Sequence, residues 1–222
     1  MAITLTTILK LTAQERSIAA IFRVLNRASD RLGGAFYAWT VGWKKSYLGT
    51  GSRVLGTKSI YTGEKISMGR HAWIEAVSSN NGQMFNPVIK IGNNFCASER
   101  LHISAINHIE IGDNCLFGSC VYISDHNHGS NKGTLQSMPS EPPLQRVLFS
   151  HGSVIIGENV WMGDNVVVIG PVSIGNGVII AANSVVTKDI PNDVMVAGIP
   201  AKIIKIFDWV TNTWIVRASI TN

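Results

Sequence analysis

The segment Asp125-His126-Asn127-His128 puts a carboxylate and two imidazoles within four residues. An imidazole titrates near neutral pH, so it can take a proton from a hydroxyl and hand it on. Asp125 can orient a neighbouring ring, or serve only as a turn former. His71, His102, His108 and His151 complete the set of six histidines. Further along, Lys188, Lys202 and Lys205 are three of only eight Lys and Arg residues after position 70. Each alone reads as a solvated lysine; together they form a cationic group in a cation-poor region.

A six-residue repeat must position these groups. From Ile156, an aliphatic residue or Met recurs every sixth place: Met162, Val168, Ile174, Ile180 and Val186. Val160, Val166, Val172 and Val178 each follow four places after one of the first four. An α-helix has a period of 3.6 and an ordinary strand a period of two, so neither produces this pattern. Strands of about one hexad separated by sharp corners do, and three hexads close one turn of a triangular parallel β-helix. Ile91, Ala97, Ile103 and Ile109 form an earlier run, followed by Ile111, Phe117 and Ile123 displaced by two residues. Val54, Ile60, Ile66 and Ala72 form a weaker one. Polar breaks fall at 78–87 and 129–150; the second contains Pro139, Pro142 and Pro143 and reads as a protruding, function-bearing loop.

The chain has 222 residues, 45% hydrophobic and only 15% charged, with 21 glycines. That composition excludes general disorder and suits stacked strands with tight corners. No apolar run is long enough to span a membrane, and the first eleven residues do not read as a signal peptide. Cys96, Cys115 and Cys120 lack zinc spacing and are expected to be reduced core thiols in a cytoplasmic protein. Residues 1–70 hold eleven Lys and Arg against three acids, whereas 71–222 hold eight against eleven. No nucleic-acid recognition motif accompanies the basic third. It fits peripheral contact with an anionic membrane, or a solvated helix face.

Thr12-Ala13-Gln14-Glu15 has capping-box form, and Ile18, Ile21, Phe22, Leu25 and Leu32 follow at helical spacing. Gly33-Gly34 is expected to stop that helix. The helix and the aromatics Phe36, Tyr37, Trp39 and Trp43 would cap the open end of the β-helix, or rest on a membrane or partner. The expected division is a helical and aromatic segment over 1–50, a β-helix over 51–207 and a tail over 208–222.

The hexads Ile156-Gly-Glu-Asn-Val-Trp161 and Met162-Gly-Asp-Asn-Val-Val167 resemble those of hexapeptide-repeat acyltransferases. So do the stretches from Ala181 to Asp189 and from Val196 to Lys202. Tyr122-Ile-Ser-Asp-His-Asn-His-Gly129 and the order of elements resemble the O-acetyltransferases of bacterial surface-polysaccharide synthesis, for O-antigen or capsule. Galactoside and maltose O-acetyltransferases are more distant. The resemblance covers about residues 50–207. It implies an all-β fold, a left-handed parallel β-helix, and a homotrimer. It also implies acetyl-CoA bound between neighbouring subunits, a saccharide acceptor and no metal.

In the related sugar acetyltransferases the base lies seventeen residues after the Ile of an Ile-Gly-Asp-Asn hexad. Counted from Ile111, that position is His128, with His126 as its rival. By the same resemblance Ser98 occupies the place of an acceptor-contacting Asn. Asp164, Ala182, Thr187, Lys188, Lys202 and Lys205 would contact the cofactor, the lysines meeting its phosphates. Trp161 would wall the groove or be a packed aromatic. One turn earlier, after the two-residue shift, His108 is equivalent to His128. Asn107-His108 is therefore expected directly beneath Asn127-His128, where both side chains would hold acceptor hydroxyls. Three alternatives stay open: an acetyltransferase for a small hydroxylated xenobiotic or free sugar, a zinc site like that of β-helical carbonic anhydrases, and a non-catalytic trimeric scaffold.

Overall fold

The computed structural model describes residues 17–134 and 136–216. Short parallel strands wind into a three-faced prism, the left-handed parallel β-helix that the family resemblance implies. The first face runs from Tyr47–Leu48 through Ser67–Met68, Cys96–Ala97, Leu116–Phe117, Trp161–Met162 and Ile179–Ile180 to Val194–Ala197. The second runs from Arg53–Leu55 to Val185–Val186, and the third from Ile60–Thr62 to Val172–Ile174. Lys202–Asp208 and Thr213–Val216 then fold back antiparallel on the first face.

Stacking in register turns the sequence period into columns of buried side chains. On the first face Leu48, Met68, Ala97, Phe117, Met162, Ile180 and Val196 lie one above another. Small Ala97 leaves room beside Phe117, whose ring meets Phe95 edge-on at 5.0 Å. The two-residue displacement enters between Ile103 and Ile109, which are six residues apart where their counterparts Val168 and Val172 are four apart. At the corners, the residue before the second inward position of a hexad takes a left-handed backbone. Asn94, Asn114, Asn159, Asn165 and Asn183 do so with φ of 55–60°. Asn tolerates that conformation better than other residues with a Cβ, which explains its recurrence. At Gly157 an added Cβ would strike the Asn176 carboxamide of the next coil.

The N-terminal helix spans Ser17–Thr40. The capping box at 12–15 lies outside the described residues. Gly33-Gly34 does not end the helix. Gly34 is instead a close-approach site, where a Cβ would meet the Leu48 carbonyl and the Tyr47 ring. Ala38 and Trp43 are buried in the core cluster, and the Tyr37 hydroxyl accepts the Val54 N–H at 3.1 Å. One face of the helix thus caps the prism, as expected. The opposite face is exposed, with Leu32 at 75%, Phe36 at 65% and Trp39 at 71%. Asp30 ties the helix to the prism through Arg70 and Thr50.

Only one of the three cysteines matches the expectation of core thiols. Cys115 is buried and burial pushes its thiol up to about 11, whereas Cys96 and Cys120 are exposed at a strand face and a corner. No described helix is long and apolar enough to cross a membrane.

Phe117 is fully buried and packs on Phe95 in the middle of the prism. Its replacement by Ala is expected to cost about 3–5 kcal/mol of unfolding free energy, measurable by equilibrium denaturation.

Candidate active site

The three edges of the prism are chemically different. Between the second and third faces, successive coils turn at 56–59, 77–87, 106–107, 125–153 and 170–171. Thr187 and Lys188 follow Val185–Val186 on this same edge, before Ile190 bridges to Ile174 on the third face. The histidine segment therefore leaves the prism on the edge that carries Thr187 and Lys188 two coils further along. At strand spacing that is about 10 Å.

Ser124 is the last residue of its coil on the second face, in register with Ser104 and Ile169. Asp125 then turns inward and its side chain is fully covered. Its carboxylate accepts the amides of Ile106 at 3.0 Å and Asn107 at 2.8 Å from the coil below. It also meets His126 Nδ1 at 3.0 Å. The His126 side chain is only 10% exposed and is held as well by Ser124, whose hydroxyl donates to the His126 carbonyl. Asp125 is thus both a turn former and a partner of an imidazole. His128 differs in every respect. It lies on the antiparallel pair Asn127–His128 and Leu148–Phe149 that forms the neck of the loop. It is exposed, and its ring makes no hydrogen bond to any described residue.

The expected stacking of Asn107-His108 beneath Asn127-His128 is not found. His108 pairs with Val88, and the coil above it resumes at Val154, which pairs with Ile109. The count of twenty residues per coil fails here because the chain departs at Asp125, so His128 belongs to the loop and not to the column. His108 instead turns to Glu110, at 3.1 Å. That contact and the nearby Lys90 hold the Glu110 carboxyl below its usual range. Asn107 remains exposed on the edge, one coil below Asp125.

Ser98, Asp164 and Ala182 lie on a different edge, between the first and second faces. One chain does not bring them to His128. Asp164 uses its carboxylate to accept the Ser119 amide at 2.6 Å, a bond between coils. Lys202 and Lys205 sit on the closing strand opposite Ala197 and Met195. Lys188, Lys202 and Lys205 form no ion pair with any described residue. Trp161 is half exposed on the first face, in register with Leu116 and Ile179. It is therefore not a core aromatic. Among the described residues of one chain, no three His, Cys, Asp or Glu side chains gather as a metal-holding cluster.

The sequence reading did not single out His102. It stacks on Trp73 at 4.5 Å with rings nearly parallel, lies 5.1 Å from Tyr122, and Arg53 stands over Trp73. Burial, and then the nearby His126, hold its pKa below the ordinary imidazole value. The signal was the twenty- and twenty-nine-residue spacing of Tyr122, His102 and Trp73, visible only once the register is known. The folded ring binds its proton less tightly than an unfolded one. Stability should therefore be full above about pH 6.5 and fall as pH drops through the lowered value. Urea unfolding between pH 7 and 5 should show that decline, and His102→Phe, which keeps a ring in the stack, should flatten it.

Known proteins share the repeat and the fold. The profile of bacterial transferase hexapeptide repeats matches residues 153–188, and that of the succinyl-transferase hexapeptide repeat matches 108–124. The Escherichia coli K12 protein WbbJ, which bears the name of a lipopolysaccharide biosynthesis O-acetyl transferase, is 44% identical over 128 residues. That match covers 57% of this chain and 65% of WbbJ. Galactoside O-acetyltransferase of the same organism is 33% identical over 144 residues, covering 63% of each chain. The chain thus spans somewhat less than two thirds of these relatives. Among solved structures, the Bacillus cereus N-acyltransferase AntD superposes with a TM-score of 0.57 at 16% identity. It covers 78% of this chain and 87% of AntD, and shares the fold. Repeat and prism agree with these comparisons: residues 108–124 and 153–188 carry the hexapeptide repeats of bacterial transferases.

Proposed function

We propose that this chain is an acetyl-CoA-dependent O-acetyltransferase whose acceptor is a hydroxyl of a bacterial surface polysaccharide or its precursor. The carrying observation is His128, an exposed imidazole with no hydrogen-bond partner among the described residues, at the loop neck on the edge that also bears Thr187 and Lys188. A general base must reach its substrate's proton, and His128 has a free ring to do so. His126 spends Nδ1 on Asp125 and is nearly covered, so it serves as a brace for the loop's departure. In the reaction, His128 removes the acceptor hydroxyl proton as the oxygen attacks the thioester carbonyl. The C–S bond then breaks, and the coenzyme sulfur leaves with the proton held by the imidazolium. Lys188, Lys202 and Lys205 bind the coenzyme phosphates, and the edge backbone and Ala182 admit its narrow arm.

The chain assembles as a homotrimer in this reading. Support comes from the half-exposed column Leu116, Trp161 and Ile179 on a flat face. The split of Ser98 and Ala182 from His128 onto different edges also supports it, because a neighbouring copy would reunite them. The exposed face of the helix, together with Lys44 and Lys45 beside Trp39, rests on an anionic membrane surface.

The decisive measurement is mass-detected release of CoA from acetyl-CoA in the presence of a lipid-linked oligosaccharide extract. His128→Ala should lower acceptor-dependent release by ~10² or more, with His126→Ala less affected. Equal release by wild type and His128→Ala would move the base to His126. Release with small hydroxylated antibiotics alone would replace the polysaccharide acceptor. For the membrane contact, sedimentation with phosphatidylglycerol vesicles should fall about ten-fold in Leu32→Glu/Phe36→Glu. Unchanged sedimentation would refute that contact.

A further inference from the structure

The edge that releases the histidine loop carries a second insertion. Ser79–Asn80 and Gln83–Met84 form a small antiparallel hairpin on the coil two below. Its turn is Asn81-Gly82, both with positive φ (47° and 79°), the pairing that closes a tight two-residue hairpin. The coil between the two insertions passes from the second face to the third through only Ile106 and Asn107. The hairpin and the loop thus stand on either side of the exposed Asn107 corner. They are also joined, because Asn81 Nδ2 donates to the Leu144 carbonyl of the loop at 2.8 Å. Met84 and Leu144 beside this tie are among the most exposed apolar side chains, at 78% and 79%.

We propose that the hairpin 79–84, tied through Asn81 to the loop, is the acceptor-specificity element and selects an oligosaccharide over a single sugar. The inference rests on the acetyltransferase reading of the same edge. The tie crosses two coil spacings, about 10 Å, which exceeds one pyranose ring. An acceptor hydroxyl delivered to His128 at the loop neck leaves further sugar units lying across Asn107 toward the hairpin. The side-chain amide of Asn107 can meet their hydroxyls, and the thioether and isobutyl groups of Met84 and Leu144 suit the C–H faces of sugar rings. Asn81 acts through the loop it holds, and is a positioning residue. Without its bond the loop loses one fixed point, and the far subsite loses its wall.

Asn81→Gly keeps the left-handed turn and removes the donor, so it separates the tie from the fold. Replacement of 79–84 by Gly-Ser removes the hairpin altogether. With a lipopolysaccharide-derived oligosaccharide, Asn81→Gly should raise the acceptor KM about five-fold, the scale of one hydrogen bond. The KM for acetyl-CoA, kcat, and the acceptor KM for a free monosaccharide should not change. Hairpin removal should abolish the preference for the oligosaccharide. Oligosaccharide binding measured by calorimetry, without turnover, should weaken in parallel. Unchanged oligosaccharide KM in both variants, while the wild type turns over, overturns the inference and leaves the acetyltransferase reading standing. A wild type that binds the oligosaccharide in a hairpin-dependent way but transfers nothing supports the subsite and refutes the reaction. A wild type that binds no oligosaccharide overturns the inference.

Discussion

Most strands of this prism have two to four residues, too few to hold a position unaided. What fixes them is the row of amides that each coil gives to the next. Along the first face Cys96 donates to Cys115, Leu116 to Val160 and Trp161 to Val178, all at 2.9–3.0 Å. The row stays in step only if every corner rotates the chain by the same amount and brings neighbouring backbones close together. Left-handed Asn before the second inward residue and Gly where corners touch both answer that demand. The low charge content follows as well, since most positions are either inward or committed to a corner.

A prism filled by its own inward side chains has no interior left for a ligand, so chemistry has to sit outside it. The edges are where the chain can leave and return without breaking the ladder. Ser124 and Val154 are both paired within their faces, although 29 residues separate them. The cost of closing such an excursion grows slowly with its length. Asp125 secures the departure from below, by taking two amides of the tight Ile106-Asn107 corner. Loss of those two bonds would free the neck of the loop before it disturbed the core.

The repeat made the prism legible, because a period of six fits no other regular backbone. The places where the period breaks were less so. Counting through Asp125 put His128 above His108, whereas the real neighbour along that column is the residue pair resumed at Val154. No local signal distinguishes a corner that turns from a corner that leaves. Gly33-Gly34 read as a stop, but Gly34 answers to Tyr47 and Leu48, thirteen and fourteen residues away, and helical propensity yields to that contact. The histidine segment was found by residue type alone, and its partner Asp125 was visible beside it. The tie from Asn81 was not read, although Asn-Gly between polar residues is a hairpin signal in its own right.

The last strand reverses direction. Lys202–Asp208 runs against Val194–Ala197, and Thr213–Val216 against Lys205–Asp208. Every earlier neighbour on that face is parallel. A stack of identical parallel coils would offer at its end the same template on which it grew, open to another molecule's first coil and then to a third. The antiparallel strand presents donors and acceptors in a different spacing, so the first coil of another molecule finds no matching row there. At the start of the stack the Tyr37 hydroxyl already occupies the Val54 amide. A fold whose rule of growth has no natural limit is thereby given a fixed length, with stacking opposed at one end by chain direction and at the other by the helix packed over the first coil.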